Sequence, residues 1–358
     1  MKIAYVLIHD IKTNDGITKK ILGQKTEWEN SGHKVELYTT MIEKGDSILP
    51  SKQYISKSPF KLRFQVQNDM LQDIDNFNPD LVYFRYNTWS RTWSLLTTKY
   101  KSVVELNTYD LGEYLLFLKK EKTLKAFLRY IGYKFMRGLF LGKVNGIIGV
   151  TKEIAEHKDY TKYNKPATYI PNAIDLKIFS TFKSIKTNLQ DRRVGLFFIG
   201  SPGFECHGVR HIINLAKNLP EYDFHIVGID GNNSSNLYWH GYMNMEQYME
   251  VLKSCDICIS SLATYEKNIT EACPLKAREY LAYGYPMILG YDDTAFIDKS
   301  LPNWILKIDT QKPLDFDSIR KFIEKNKNVI ISHDEIRFID TAILEKKRLE
   351  FFKIVCNL

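Results

Sequence analysis

The sequence has few cysteines and no long apolar run, and each scarcity removes a class of protein. Its 358 residues hold five cysteines, an odd and small number, so disulfides do not organise the chain and a reducing compartment is expected. Cys255 and Cys258 have CxxC spacing, but no second pair or histidine pair accompanies them. In the apolar run Ile257–Ser260 they read as buried core thiols. No stretch reaches the ~18–20 apolar residues that span a bilayer. The opening Met1–Ile8 run stops at His9-Asp10 with no small-residue cleavage site, and reads as a first buried strand rather than a signal-peptide core. No internal repeat, low-complexity tract or nucleic-acid motif is visible, so no nucleic-acid partner is expected. The apolar fraction of 44% and charged fraction of 26% are those of a soluble globular chain, which excludes disorder.

What is present is a series of short, near-continuous apolar runs separated by helical patterns. Ile3–Ile8, Val35–Tyr38, Leu81–Phe84, Val103–Leu106 and Ile147–Val150 form a first set. Leu196–Ile199, Phe224–Val227, Ile257–Ser260, Met287–Leu289 and Ile305–Ile308 form a second. Runs without alternation mark strands buried on both faces, hence parallel sheets flanked by helices. A helical pattern over Asp15–Glu29 stops near Gly32. The expected class is α/β: two Rossmann-like doubly wound domains facing a central cleft, with ligands outside the carboxyl ends of the strands. The expected boundaries are 1–175 for the first domain, joined by a C-terminal helix at 334–358, 176–193 for a linker, and 194–333 for the second.

The most informative segment is Glu271-Ala-Cys-Pro-Leu-Lys-Ala-Arg-Glu279. Pro274 suits the first turn of a helix and Gly284 its carboxyl end. Eight residues at ~1.5 Å rise would set Glu271 and Glu279 ~12 Å apart if both were helical. Two carboxylates acting on one glycosidic bond stand ~5–9.5 Å apart, so this pair suits two parts of one long ligand. Between them lie the free amides of a helix amino end, near Leu275 and Lys276, where anions bind. A carboxylate, an amide cluster and a second carboxylate match a nucleotide sugar, hydroxylated at both ends and a diphosphate in the middle.

Glu271-x7-Glu279 followed by Tyr-Leu-Ala-Tyr-Gly-Tyr-Pro resembles the signature of retaining family 4 glycosyltransferases of the GT-B fold. Asp15-Gly16-Ile17, Ile170-Pro171-Asn172, Phe198-Ile199-Gly200 with His207-Gly208, His225–Gly228 and Trp239–Met243 resemble further landmarks of that family, in the same order. The resemblance implies an enzyme that moves a hexose from a UDP- or GDP-sugar to a glycan or lipid-linked glycan acceptor in surface polysaccharide or glycoconjugate synthesis. It implies no cofactor and no metal, the nucleotide sugar being a co-substrate. Glu279 would accept from the ribose hydroxyls and Glu271 from the donor hexose. Amides at Gly16, Leu275 and Lys276 would hold the diphosphate, and the Tyr242 and Met243 backbone would read the base. Ser201 stands where relatives carry Arg, His207 where they carry Lys, and Asn107 where they carry His near the reacting centre. A neutral imidazole brings no charge to a phosphate, so His207 would serve better protonated. Lys276 and Arg210 are candidate replacements for the missing cation. Arg85 is a candidate for donor or acceptor contact and Glu113 for acceptor contact. Two rival readings stand beside transfer: a non-catalytic GT-B subunit, and a nucleotide-sugar epimerase using Glu105 and Asp110.

The formal net charge of +8 is concentrated. Between Lys119 and Lys143 there are eight basic residues and one acid, Glu121, a composition that calls for an anionic partner. On a helical wheel Leu124, Phe127, Leu128, Ile131, Phe135 and Leu139 fall in a ~120° stripe, the width of a core-facing seam. Lys122, Lys125, Arg129 and Arg137 lie on the other side, outside that stripe, mixed with Tyr133, Met136 and Phe140, the mixture found on interfacial helices. The expected location is cytoplasmic, peripheral on the inner face of the membrane through 119–143.

Overall fold

The structure, a computed structural model, describes residues 1–9, 16–42, 51–181 and 192–358. Asp10, Asp15 and linker residues 182–191 lie outside the described residues. The chain divides into two compact units, Met1–Pro171 with Thr341–Leu358, and Asn172–Asp340.

The first unit runs β1 (Lys2–Ile8), α1 (Gly16–Asn30), β2 (Lys34–Met41), β3 (Ser51–Ile55), α2 (Pro59–Phe64), α3 (Asn68–Phe77), β4 (Leu81–Tyr86), α4 (Arg91–Lys99) and β5 (Ser102–Leu106). It continues with α5 (Asp110–Glu121), α6 (Leu124–Leu141), β6 (Gly146–Gly149), α7 (Lys152–Glu156), α8 (Lys158–Thr161) and β7 (Ala167–Tyr169). The sheet order is β3-β2-β1-β4-β5-β6-β7, parallel throughout. Ile3 to Leu7 are wholly buried, as a central strand covered on both faces must be. The order reverses between β1 and β4, which makes their carboxyl ends the switch point where such sheets take ligands.

The second unit repeats this plan with β8 (Gly195–Ile199), α9 (Val209–Asn218), β9 (Asp223–Val227), β10 (Leu237–Trp239), α10 (Met245–Lys253), β11 (Ile257–Ile259), β12 (Glu271–Ala272), α11 (Leu275–Ala282), β13 (Met287–Leu289), β14 (Asp292–Asp293), β15 (Ile305–Lys307) and α12 (Phe316–Asn326). Its main sheet is parallel, in the order β10-β9-β8-β11-β13-β15, with β12 and β14 forming a separate two-stranded pair. Here the switch point falls between β8 and β11. Leu176 and Phe179 belong to this unit's core. Cys255 and Cys258 are free, buried thiols.

The last helix, α13 (Thr341–Cys356), begins later than residue 334 and packs on the first unit. Its approach to β6 requires a glycine: a Cβ on Gly146 would stand 2.7 Å from Val355 Cγ2. Arg348 of α13 reaches the sheet's underside, donating to Tyr83 Oη at 2.8 Å and pairing with Glu105 at 3.1 Å.

One expectation is reversed. The six apolar residues of the α6 stripe face solvent, between 44% and 74% exposed. The buried face carries Ala126, Tyr133, Arg137, Phe140 and Leu141. The reason is a partner on α5. Asp110, itself buried, accepts from Arg137 Nε at 2.7 Å and Nη2 at 2.9 Å, from Tyr133 Oη at 2.7 Å and from Tyr160 Oη at 2.6 Å. A buried carboxylate demands such donors, and α6 turns inward the face that supplies them.

Candidate functional site

In the second unit the chemistry gathers at the carboxyl end of β8. Gly200 follows the strand and Gly228 crosses it closely: with φ +85°, a Cβ on Gly228 would stand 2.1 Å from the Gly200 carbonyl oxygen. Ser201 is exposed in the next turn. His207 closes a short 3-10 turn, Glu205–His207, and its ring lies edge-on to Phe198 at 5.8 Å. A Cβ on Gly200 would stand 2.8 Å from His207 Nδ1, so only glycine admits the imidazole there.

Lys276 enters from α11. Its Nζ donates to the Ile199 carbonyl at 3.1 Å and lies 4.1 Å from the centre of the Phe198 ring. Burial pushes the ammonium down to about 7. Burial, then Lys276 and Lys267, holds His207 at about 3, against an opposing pull from the Ser201 backbone. The imidazole is therefore neutral at pH 7, and the cation of this cluster is Lys276. Arg210, the other candidate, is exposed and committed elsewhere, donating to Tyr265 and to Glu266.

Pro274 stands at the N-cap of α11 rather than in its first turn, and its extended backbone (ψ 141°) has no side-chain cap bond. Leu275 and Lys276 open the helix with their amides at its amino end. Glu271 precedes the helix on β12, buried, and accepts from Thr294 Oγ1 at 3.3 Å. Glu279 sits about one turn along α11, beside Tyr248 and Tyr283, whose phenols burial and the Glu279 charge push up. Met243 packs on the same core and Tyr242 is 86% exposed. Leu275, Lys276, His207 and Ser201 thus lie around the β8 end and the head of α11, and Glu271 precedes that helix on β12. Glu279 and Met243 extend the group toward α10.

Sequence reasoning passed over what fixes this geometry. Arg278, fully buried, forks onto Asp293 and donates from Nε to the Asn172 carbonyl at 3.0 Å. Asn172 returns a bond to the Cys273 carbonyl. This clamp locks β12 and β14 to α11, and so sets Glu271 relative to the helix. The signal was an arginine inside the Glu271-x7-Glu279 segment, one residue from Glu279.

In the first unit Gly16 opens α1. Lys20 on that helix donates to Glu105 Oε1 at 2.8 Å and to Asn107 Oδ1 at 2.9 Å. Burial would raise Glu105, but Lys20, Arg348 and Arg85 outweigh it and hold the carboxyl at about 2. With its oxygen taken, Asn107 presents its amide nitrogen, which is buried and meets no acceptor; Arg85 Nε is in the same state. Glu113 accepts from Thr108 Oγ1 at 2.9 Å. Among the described residues, no three His, Cys, Asp or Glu are gathered as metal ligands would be.

No protein-family model and no curated protein sequence matches the chain. Solved structures do. A lipopolysaccharide outer core galactosyltransferase, WaaB in its apo form, is 13% identical with a TM-score of 0.61, covering 99% of this chain and 100% of that one. An alpha-glucosyltransferase in complex with UDP is 12% identical with a TM-score of 0.65, over 98% and 99%. A UDP-GlcNAc 2-epimerase from Neisseria meningitidis bound to UDP-GlcNAc is 15% identical with a TM-score of 0.52, over 98% and 99%. At such identities the likeness speaks to the fold, which is that of the GT-B glycosyltransferases.

Proposed function

We propose that this chain is a retaining glycosyltransferase of the family 4 type, moving a hexose from a UDP- or GDP-sugar to a glycan or lipid-linked glycan acceptor. The observation that carries the reading is Lys276, set over Phe198 at the end of β8 and at the head of α11, between Glu271 and Glu279. In the reaction the bond from the anomeric carbon to the phosphate oxygen breaks, and its electron pair stays on the diphosphate. The protonated Lys276 and the α11 amides stabilise that charge. The acceptor hydroxyl oxygen bonds to the anomeric carbon on the same face, and its proton passes to the departing phosphate oxygen. No protein base and no metal is needed for these steps. Glu271 accepts from the hexose, Glu279 from the ribose, and the backbone at Tyr242 and Met243 reads the base. Asn107, Arg85 and Glu113 serve the acceptor and the transferring sugar. The enzyme acts in the cytoplasm, at the inner membrane face, in glycoconjugate or polysaccharide synthesis.

The rival readings meet specific obstacles. An epimerase would need Glu105 or Asp110 as acid or base. Glu105 is tied to Lys20 and Arg348, and Asp110 accepts from three side chains. Ser201 and Asn107 motivate the non-catalytic subunit; against it, Lys276 offers a cation at the end of β8 where Ser201 offers none.

The purified chain is to be assayed against a panel of UDP- and GDP-sugars for transfer and donor hydrolysis. Glu279→Ala should weaken nucleotide binding at least about tenfold. Glu271→Gln should leave nucleotide binding within about threefold yet lower turnover at least about a hundredfold, the behaviour of a contact made in the transition state. Unchanged turnover in both variants ends the proposal.

A further inference from the structure

The outward stripe of α6 is held in place by its opposite face. Arg137 and Tyr133 are bound to Asp110, Tyr133 stacks on Tyr114 at 3.9 Å, and Phe140 packs on Phe84 and Tyr86 at 5.2 and 5.6 Å. Turning the stripe inward would strip Asp110 of Arg137 and Tyr133, its donors on α6. The exposure is therefore a property of the fold.

The stripe forms one apolar patch along α6. Leu124, Phe127, Leu128, Ile131, Phe135 and Leu139 run along one side of α6, each at least 44% exposed. Contiguous apolar areas of this kind mark interaction sites. Seven exposed cations accompany it: Lys119, Lys120, Lys122, Lys125, Arg129, Lys134 and Lys143. The only exposed acid within that span, Glu121, pairs with Arg129 at 2.8 Å. Four of the lysines cluster where α5 turns into α6, with Lys122 at the turn in the left-handed region. On the α6 wheel, Lys125 and Lys134 fall ~40° and ~20° outside the two edges of the stripe, one on each side.

We infer that the α5–α6 hairpin docks on the surface of an anionic lipid bilayer, with the α6 stripe entering the headgroup–acyl boundary and the flanking lysines meeting lipid phosphates. An apolar face rimmed by cations is what such an interface accepts. A second copy of this chain fits poorly, because a two-fold contact through this face would set two groups of seven cations against each other. No described helix is long and apolar enough to cross a membrane, so the hairpin lies on the bilayer. The inference stands apart from the transfer reading, since it uses none of the residues assigned to donor or acceptor.

The test is flotation of the full chain with vesicles of phosphatidylcholine alone and of phosphatidylcholine with phosphatidylglycerol. Each cation near an anionic surface contributes about a fivefold factor in partition, and each buried Leu or Phe about tenfold or more. The expected result is binding to the mixed vesicles at least about twentyfold stronger than to neutral ones, weakened by salt at about 0.5 M. Leu128→Ser with Phe135→Ser should lower that binding at least about a hundredfold. Lys119→Glu with Lys120→Glu, Lys122→Glu and Lys125→Glu should abolish the preference for anionic lipid. Both variants should keep the wild-type melting temperature and affinity for UDP-glucose, because the altered side chains are exposed. Equal partition into neutral and anionic vesicles, full binding by the serine variant, or a dimer that the serine variant makes monomeric while neither binds vesicles, would overturn the inference.

Discussion

Lys276 makes a quantitative demand on the proposed donor site. Burial lowers its ammonium from 10.5 to about 7, so at pH 7 about half the molecules carry the charge a diphosphate needs. A bound diphosphate favours the protonated form, so donor binding takes up a proton above pH 7. UDP-glucose is the suitable probe, because its esterified diphosphate keeps a fixed charge across the range. If binding requires protonated Lys276, the dissociation constant rises about thirtyfold from pH 6 to pH 8.5, approaching one decade per pH unit at the alkaline end. His207, held at about 3, is neutral throughout and adds no slope. Lys276→Met should bind UDP-glucose more weakly at pH 6 by a comparable factor and show a flat profile. Stability moves the other way. A lysine whose folded value is lowered penalises the native state fully below pH 7, and the penalty fades as pH rises toward 10.5. Removing it should raise the melting temperature at pH 6, which separates a lost contact from a damaged fold. Isothermal titration in two buffers of different ionisation enthalpy reads both affinity and proton uptake. A flat wild-type profile, or a slope that survives in Lys276→Met, refutes the assignment.

Three further outcomes follow from named contacts. Arg278→Met leaves Asp293 charged and buried without its fork, a loss of about 3–5 kcal/mol, seen as a fall in melting temperature of about 10 °C. Glu105 lies at about 2 against an ordinary 4.5, so its folded value is depressed and its contribution is present above pH 4.5 and lost as pH falls toward 2. That loss amounts to about 3 kcal/mol, and in Glu105→Gln this part of the acid-unfolding slope should vanish while stability at pH 7 drops. Asn107→Ala removes a donor already oriented by Lys20, and should raise the acceptor KM or lower kcat about tenfold while the UDP-glucose dissociation constant stays put.

The two sheets were legible because parallel strands write themselves as local apolar runs, and Ile3–Leu7 or Ile257–Ile259 need no distant information to be recognised. The Glu271–Glu279 segment was legible for the same reason: its proline, carboxylates and glycine lie within one helix length. The face of α6 was not. An apolar stripe reads identically whether it meets a core or a lipid surface, and the deciding residue, Asp110, lies 27 positions from Arg137. The counted excess of charge was misleading too, since Arg137 is spent on that buried pair. Lys276 could be named as a candidate but not placed, because its contacts with Ile199 and Phe198 span nearly 80 residues. Arg278, Lys20 and Arg348 escaped notice because buried ions have no sequence period; each exists for a partner on another element.

Buried charged groups of this fold differ in how they are paired. Asp110, Arg278, Asp293 and Arg348 each hold two or more bonds and sit below the sheets or between helices. They rigidify the units. Asn107 Nδ2, Arg85 Nε and His207 Nδ1 are buried polar atoms with no protein partner, and all three follow or end strands next to a switch point, β5, β4 and β8. An unmet buried polar group costs about 1–3 kcal/mol, and a fold that leaves several there gains when a ligand oxygen or hydroxyl arrives. Lys276 belongs with them in kind: its single carbonyl bond and an aromatic face leave most of an ammonium's capacity for an anion. The carboxylates Glu105 and Asp110, attractive in the sequence as acids or bases, are held as framework by their ion pairs with Lys20, Arg348 and Arg137, and the nitrogen-bearing side chains at the strand ends are the groups to which the proposed reading gives the chemistry. That allocation fits transfer from an anionic leaving group, where the enzyme's work is to supply positive field and hydrogen-bond donors rather than a base.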